Sequence, residues 1–409
     1  MLRVQMRGNE GTGDGRAPLE RRLREHREVF WETFGRPAEL PRLFFSPGRV
    51  NLMGAHLDYN GGPVMPMAID RGTFFAVRPR TDRRVGFAST LEPGEVVFDL
   101  ARLESARAGR WFDYPLGVLR QLATRAPPSH GVDVLFGGNL PVGAGLSSSA
   151  SICVGTAFAL SQVWGLGLER RELVDVALRA EREFVGVQCG LMDPFAIGMA
   201  SAGHILWLDC KDASWEHLPI DHARYAIAVA DSGVRRELAQ GAFNQRVSEA
   251  AQAFAQLAPF APGARVLRDV PSSVVNEHGA RLEPHIARRA RHVVDEVART
   301  FAARAALLAG DVASFGARIF ESHRSLRDLY EVSVPELDCL VDSARSASGV
   351  LGARLTGAGF GGCAVVLLER ERADAALAQI AEDFSARFGR TPSVRVFGGD
   401  SGPRELALD

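Results

Sequence analysis

The stretch Asn139–Ala150 reads NLPVGAGLSSSA, and the apolar run SICVGTAFAL follows it. Gly143 and Gly145 permit a tight turn through which the backbone can approach a ligand closely. The serines Ser147 to Ser149 can cap the helix predicted over 151–164, and their hydroxyls can reach an anion or a metal. Because a helix N-terminus offers unpaired N–H groups and the positive end of a dipole, the stretch predicts a phosphate-binding loop.

A glycine-rich turn before a helix is more often structural than functional. The amino-acid composition also excludes one common type of phosphate-binding loop here. Lys211 is the only lysine among 48 basic residues, so a GxxxxGK[ST] phosphate loop is impossible. Phosphate would have to be bound by backbone N–H groups, serines and arginines. The net charge of −1 gives no strong field toward nucleic acid or a membrane, and we expect neither as a partner.

The length and the cysteines indicate the class of protein. A chain of 409 residues is typical of two or three domains. Its five cysteines are widely spread without a CxxC pair, which indicates a reduced, cytoplasmic protein without a zinc site. Residues 1–17 are polar and glycine-rich, which predicts a disordered tail rather than a secretory signal. We expect a monomer.

Hydrophobic patterns alternate between helix and strand along the chain. They predict helices over 19–34, 111–124, 151–164, 169–183, 283–308, 312–327 and 334–347, and a loop leading into a helix over 231–257. They predict strands over 72–89, 95–100, 131–143, 204–210 and 225–230. The many arginines of 283–308 stand among acidic residues, so we expect a solvated face there.

Two further glycine-rich stretches lie far from the serine loop. The first reads SPGRVNLMGAHLDYNGGPVMPMAID, where NGG predicts a hairpin turn between strands. Its polar side chains beside short apolar runs suggest a pocket, although an ordinary solvated hairpin would look similar: Arg49, Asn51, His56, Asp58 and Asn60. The second, ARLTGAGFGGCAVVLLE, predicts a glycine turn inside a strand pair, and such turns often serve packing alone.

Together these motifs resemble the galactokinase branch of the GHMP kinase family. PGRVNLMGAHLDYNGG is similar to the galactokinase signature, LPVGAGLSSSAS to the ATP-phosphate loop, and RLTGAGFGGC to the third glycine motif. The resemblance implies a two-domain α+β fold. Residues 18–222 would form a ribosomal protein S5 domain 2-like domain, residues 223–409 a ferredoxin-like domain, and the active site would lie in the cleft between them.

The resemblance implies transfer of the γ-phosphoryl group of ATP to the anomeric hydroxyl of a sugar. Asp193 would accept or orient the anomeric proton, with Arg49 as its charged partner. Mg²⁺ would be held by Ser149 and Glu181, with Glu183 as the rival glutamate. The ATP-binding residues would be Pro141, Gly143, Ala144, Gly145, Leu146, Ser147, Ser148 and Ser149.

The same resemblance implies a sugar pocket. Its lining would be Arg49, Ala55, His56, Asp58, Gly190, Asp193 and Phe243, with Gly357 and Gly359 of the third glycine motif close to the site. His56 and Asp58 would bind sugar hydroxyls, and the backbone of Gly190 would lie close to the ring. Trp111 is an aromatic candidate for the adenine side, with core packing as the alternative.

Two positions of this pocket depart from the galactokinase pattern. Ala55 stands where galactokinases have a glutamate expected to bind the C6 hydroxyl, and Phe243 stands where they have a tyrosine. Each lost contact would cost roughly 1–3 kcal/mol of sugar binding. Galacturonokinases similarly have GAH and NxRVSE, so galacturonate, a pentose or a 6-deoxy sugar are alternatives to galactose. For a uronate carboxylate, His56 and Arg246 are the candidate cations.

Two other hypotheses stay open. A sensor that binds sugar and ATP without catalysis would keep the fold, but the presence of Arg49, Ser149, Glu181 and Asp193 favours an enzyme. A mevalonate- or homoserine-type GHMP kinase is weakened by the sugar signature and by the lack of a suitably placed lysine.

Overall fold

Two β-sheets with helices packed on them form the described part of the chain in this computed structural model. The structure describes residues 16–36, 39–103, 107–141, 145–187, 189–235 and 239–408. The predicted tail therefore lies almost entirely outside the described residues. Within them, no helix is long and apolar enough to cross a membrane.

The first sheet has eight strands in the described residues, in the order β12-β1-β2-β5-β3-β4, with β6 paired to β2 and β7 paired to β6. Neighbours are antiparallel except β3 and β5, which run parallel. The strands are β1 Arg42–Met53, β2 Pro63–Pro79, β3 Arg84–Ser89, β4 Glu95–Asp99, β5 Val132–Gly138, β6 His204–Asp209, β7 Ser214–Pro219 and β12 Arg404–Leu406.

Alternating side chains of this sheet pack against helices on both faces. Phe45 and Phe74 contact α1 on one face, whereas Phe44 and Phe75 contribute to the core under α2, α3 and α4 on the other. The helices of this half are α1 Arg16–Phe34, α2 Asp113–Arg125, α3 Ser148–Val163, α4 Arg170–Arg179 and α5 Met192–Gly198, with a π-helical turn Ala180–Val185 after α4. The bounds of α1 to α4 lie within a few residues of the predicted helices. α5 has no predicted counterpart, because the glycines and the proline of that stretch indicate a break in the helical pattern.

The second sheet is antiparallel, with the order β11-β8-β10-β9. Its strands are β8 Tyr225–Asp231, β9 Val350–Thr356, β10 Cys363–Glu369 and β11 Ser393–Phe397. The helices of this half are α6 Ala239–Leu257, α7 Ser272–His278, α8 Pro284–Leu308, α9 Val312–Ser325, α10 Pro335–Ser346 and α11 Ala373–Phe388. Numbered within this half, the strand order is 4-1-3-2, which is ferredoxin-like and confirms the predicted α+β class.

The two halves share an apolar core. Val229 and Val365 of the second sheet pack with Val50 and Met67, which lie near the end of β1 and the start of β2. This packing brings the turn between β9 and β10 next to the loop between β1 and β2. Both segments carry motifs that the sequence singles out.

Two sequence expectations differ from the structure. β12 returns to the first sheet, with Leu406 opposite Leu43, so a single boundary at residue 222 does not separate the two sheets. Arg289 of α8 is not on a solvated face: its side chain is 2% exposed and pairs with Glu249 and Glu331. Its partners come from α6 and from the turn before α10, so local sequence does not reveal them.

Candidate active site

Asp193 lies in the first turn of α5, where Arg49 of β1 reaches it. The Arg49 guanidinium donates from Nε to Oδ1 and from Nη2 to Oδ2, both at 2.8 Å. Such a bidentate pair fixes the carboxylate in both position and orientation. Because Arg49 is 5% exposed and Asp193 28%, the aspartate is the member of the pair that a substrate can reach.

Arg49 also binds the serine loop. Its Nη1 donates to the Gly145 carbonyl at 2.6 Å, and its backbone N–H donates to the Leu146 carbonyl at 3.0 Å. Ser147 adds a hydroxyl hydrogen bond to Asp193. One arginine therefore holds the predicted phosphate loop and the predicted base at a fixed mutual distance.

The serine loop opens α3, with Ser148 exposed and Ser149 partly buried in its first turn. Ser151 ties this end of the helix to the sheet by donating to the Ser46 carbonyl at 2.8 Å. The prediction that Ser147 caps the helix is wrong: it has φ 62°, and its hydroxyl binds Asp193 instead of a helix N–H. Pro141 precedes the loop, whereas Gly143 and Ala144 lie outside the described residues.

Ser149 and Glu181, the predicted metal ligands, lie near each other, and the Ser149 hydroxyl acts to lower the pKa of the Glu181 carboxyl against the larger effect of burial. Glu181 lies on the π-helical turn and is 2% exposed, and burial raises its pKa to about 7. Glu183 is exposed and accepts a hydrogen bond from Gln121, so it faces away from Ser149. A hydroxyl and a carboxylate beside a phosphate loop are oxygen donors that fit Mg²⁺.

His56, in the loop 54–62 between β1 and β2 (the signature loop), starts a directional hydrogen-bond chain. Its Nε2 lies 3.2 Å from the Ala358 carbonyl, which can only accept, so Nε2 carries the proton. Nδ1 then accepts from the Tyr59 hydroxyl at 2.9 Å, and Tyr59 accepts from Tyr330 at 2.8 Å. Burial lowers the pKa of His56 to about 3, so the ring is neutral.

Both ring nitrogens of His56 are thus bound to protein groups. This arrangement leaves neither nitrogen for a sugar hydroxyl, so the geometry speaks against His56 as a direct sugar ligand. The chain instead joins the signature loop to Ala358, between Gly357 and Gly359, and to Tyr330. This hydrogen-bond chain places the third glycine motif next to the signature loop, which carries the predicted sugar-binding residues.

Asp58 is the acid of the signature loop. Gly190 lies so close that a Cβ there would overlap the Asp58 carboxylate, which explains the glycine at that position. Burial raises the pKa of Asp58 to about 6, and the nearby Asp193 carboxylate adds to the rise. The structure thus brings Asp58, Gly190 and Asp193 together, as the sequence predicts.

Ala55 and Phe243 form an apolar side of the same region. Ala55 is 2% exposed, and the Phe243 ring lies 5.5 Å from Tyr59 and 5.9 Å from His56. Arg246, one candidate cation for a uronate, donates instead to the Glu249 carboxylate at 3.1 Å and to the carbonyls of Tyr330 and Glu331. Arg246 is therefore bound to protein groups, and His56 is neutral with both ring nitrogens bound. Neither residue offers its charge to a uronate carboxylate.

Sequence patterns do not reveal the roles of several residues around this site. Tyr59 stands within the quoted signature, but nothing local shows that it bonds Tyr330, 271 residues away. Glu296 and Arg354 have a weaker signal still, since each is a charge in an otherwise ordinary helix or strand. Trp111, the adenine candidate, packs edge-on against Phe136 at 5.4 Å in the core of the first half.

Comparison with known proteins covers both halves of the chain. The galactokinase galactose-binding signature matches residues 28–79, the GHMP kinases N-terminal domain residues 113–201, and the GHMP kinases C-terminal domain residues 303–386. Galactokinase of Chloroflexus aggregans is 43% identical over 363 residues, which cover 89% of this chain and 92% of the relative. Galactokinase of Chloroflexus aurantiacus is 42% identical over 362 residues, 88% of this chain and 92% of the relative.

A solved structure agrees with these matches. The crystal structure of Lactococcus lactis galactokinase complexed with galactose superposes with a TM-score of 0.89 at 34% identity, and the match covers 94% of this chain and all of that chain. The chain therefore belongs to the galactokinase family of the GHMP kinases, and it is a sugar kinase of that type.

Proposed function

We propose that this chain transfers the γ-phosphoryl group of ATP to the anomeric hydroxyl of galactose or of a C6-altered relative. The observation that carries the proposal is the Arg49 junction. One guanidinium binds both oxygens of Asp193 and the Gly145 carbonyl of the serine loop. A sugar hydroxyl at Asp193 would therefore lie next to phosphate at the loop, the arrangement that phosphoryl transfer requires.

Each group of the site has a role in this proposal. Asp193 accepts or orients the anomeric proton, and Arg49 stabilises the charge that develops on the transferred phosphoryl group. The backbone N–H groups of Gly145 to Ser149 at the start of α3 bind the phosphates. Ser149 and Glu181 would hold Mg²⁺, which supplies charge neutralisation at the phosphates when bound.

The sugar is bound by the signature loop and its neighbours. Asp58 accepts from two sugar hydroxyls, and the Gly190 backbone lies under the ring. The galactose complex of the Lactococcus lactis relative supports galactose as the first substrate to test. Galacturonate stays the alternative, but the engagement of Arg246 and the neutral His56 give it less support than a sugar with an uncharged C6.

The competing hypothesis is a sensor that binds sugar and ATP without transfer. The bidentate Arg49–Asp193 pair, with Ser149 and Glu181 near each other, keeps the groups that catalysis would need, which favours the enzyme. The cytoplasmic location and the monomeric state stay predictions from the sequence.

A coupled assay of ADP release tests the proposal against galactose, galacturonate, arabinose, fucose and N-acetylgalactosamine. We expect sugar-dependent ADP release and a sugar 1-phosphate product for galactose or a C6-altered relative. Binding of ATP and sugar without ADP release would favour the sensor. Exclusive turnover of galacturonate would show that a cation other than His56 and Arg246 reads the carboxylate.

A further inference from the structure

The signature loop leaves β1 at a point where the pairing of β1 with β2 is irregular. The register shifts between Asn51 and Met53, and the residue opposite Asn51 is Pro66. Proline has no N–H, so β2 offers no donor to the Asn51 carbonyl from that residue. We call residues 51–55, where β1 leads into the signature loop, the neck of the loop. The backbone N–H and carbonyl groups of the neck therefore need partners from other parts of the chain.

These partners come from the second half of the chain. The Thr356 hydroxyl of β9 accepts from the Asn51 N–H at 3.2 Å and lies 3.3 Å from the Asn51 carbonyl. Arg354, two residues earlier on the same strand, donates to that carbonyl at 3.0 Å. One backbone position of the first sheet is thus bound by two side chains of the other sheet.

Two residues of α8 bind the next turn of the neck. The Glu296 carboxylate accepts from the Gly54 N–H at 3.3 Å, and His292 lies with Nε2 3.3 Å from the Ala55 carbonyl. Gly54 has φ 80°, and a Cβ there would overlap the Pro63 carbonyl, so the backbone has little freedom to adjust. Side chains from the second half of the chain therefore bind both N–H groups and carbonyl groups of the neck.

Glu296 and Arg354 are both 0% exposed, which is costly for charged groups unless they are paired. Burial alone would raise the pKa of Glu296, but Arg299, His292 and Arg354 lower it overall, so the carboxylate is ionised. Its other hydrogen bonds go to Arg299 and to the Ser322 hydroxyl. A hydrogen bond to an ionised acceptor is roughly twice as strong as one to a neutral acceptor.

We propose that Thr356, Arg354 and Glu296 are positioning residues for sugar binding: they hold the neck of the signature loop and so set where Asp58 meets the sugar. This inference rests on the proposed function for the identity of the ligand. These side chains hydrogen-bond to the neck of the signature loop and to α8 and α9, and these bonds do not reach residues 145–149 of the serine loop. Their loss should therefore weaken sugar binding more than ATP binding.

Thr356→Val with Thr300→Val as its matched control tests this. Both threonines are 0% exposed, but the Thr300 hydroxyl donates to the Glu296 main-chain carbonyl within α8 and does not contact the loop. Galactose Kd by calorimetry and KM for galactose and ATP are measured for wild type and both variants. We expect the galactose Kd and KM to rise about tenfold in Thr356→Val, because Asn51 loses its acceptor. Thr300→Val should stay within about twofold.

Glu296→Gln gives an independent second reading, since it keeps the shape but replaces a charged acceptor of the Gly54 N–H with a neutral one. We expect a several-fold rise in galactose KM and an unchanged ATP KM. Equal galactose KM in Thr356→Val and Thr300→Val, or an equal rise of both KM values in Thr356→Val, would overturn the inference.

The two measurements separate this inference from the proposed function. Wild type that binds galactose but releases no ADP would refute the proposed function, while the Kd comparison would still decide the inference. Wild type that binds none of the five sugars named above would overturn both.

Discussion

Asp58→Asn is expected to make the unliganded protein more stable at neutral pH while weakening sugar binding. Burial, and next the Asp193 carboxylate, raise the pKa of Asp58 to about 6. The folded state therefore binds this proton more tightly than the unfolded chain, where an aspartate has a pKa of about 3.9. Stability from this group is fully present below pH 4 and is lost as pH rises from 4 to 6.

The size of the effect follows from the shift. Two pH units at about 1.4 kcal/mol each give about 3 kcal/mol of destabilisation once Asp58 is ionised. Some solvent reaches this partly buried side chain, so we expect about 2 kcal/mol. Asparagine cannot ionise and has nearly the same shape, so it should retain the stability that wild type loses.

Urea unfolding of wild type and Asp58→Asn from pH 4 to pH 8, without ligands, measures this difference. The variant should gain less than about 1 kcal/mol near pH 4 and about 2 kcal/mol above pH 7, with a raised galactose KM. If the difference in the free energy of unfolding between the two proteins does not change with pH, the reasoning that ionised Asp58 destabilises the folded state is refuted. A variant less stable than wild type at pH 8 would refute it as well.

Two further predictions concern the metal and the sugar. Ser149→Ala and Glu181→Ala should each raise the Mg²⁺ concentration for half-maximal rate because each removes an oxygen ligand, whereas Glu183→Ala should not. A Mg²⁺ titration in which Glu183→Ala alone shifts would assign the other glutamate. Ala55→Glu should raise kcat/KM for galactose up to about tenfold and nearly abolish turnover of galacturonate, since like charges would meet. An unchanged preference between the two sugars would mean that residue 55 does not contact C6.

Local patterns predict many of the helices and strands, but not α5, α7, α11, β7, β11 or β12. The helix predicted over 283–308 is α8, Pro284–Leu308, and it begins at the proline because a first-turn N–H is not needed. The helix behind the serine loop was predicted over 151–164 and runs Ser148–Val163. β12 was not predicted, because a three-residue strand has no period of its own and its partner lies some 360 residues earlier.

The motifs also place the centre of the candidate site, because Arg49, Asp193 and the serine loop are each marked by their neighbours in sequence. The motifs do not show which of several possible partners a polar side chain binds in the folded protein. Ser147 has the residue type of a helix cap, but a charged acceptor, Asp193, takes its hydroxyl. Thr356 and Glu296 contact the neck of the signature loop from more than 240 residues away, so sequence neighbours give no sign of it.

Turnover of galactose by wild type and by Asp193→Asn tests the central claim most directly. The substitution keeps the shape of the side chain but removes the proton acceptor that Arg49 holds in place. ADP release, the sugar 1-phosphate product and ATP affinity are measured for both proteins. We expect wild type to form the 1-phosphate and the variant to lose at least about a hundredfold in kcat while binding ATP as wild type does. Near-wild-type turnover by Asp193→Asn would contradict the account.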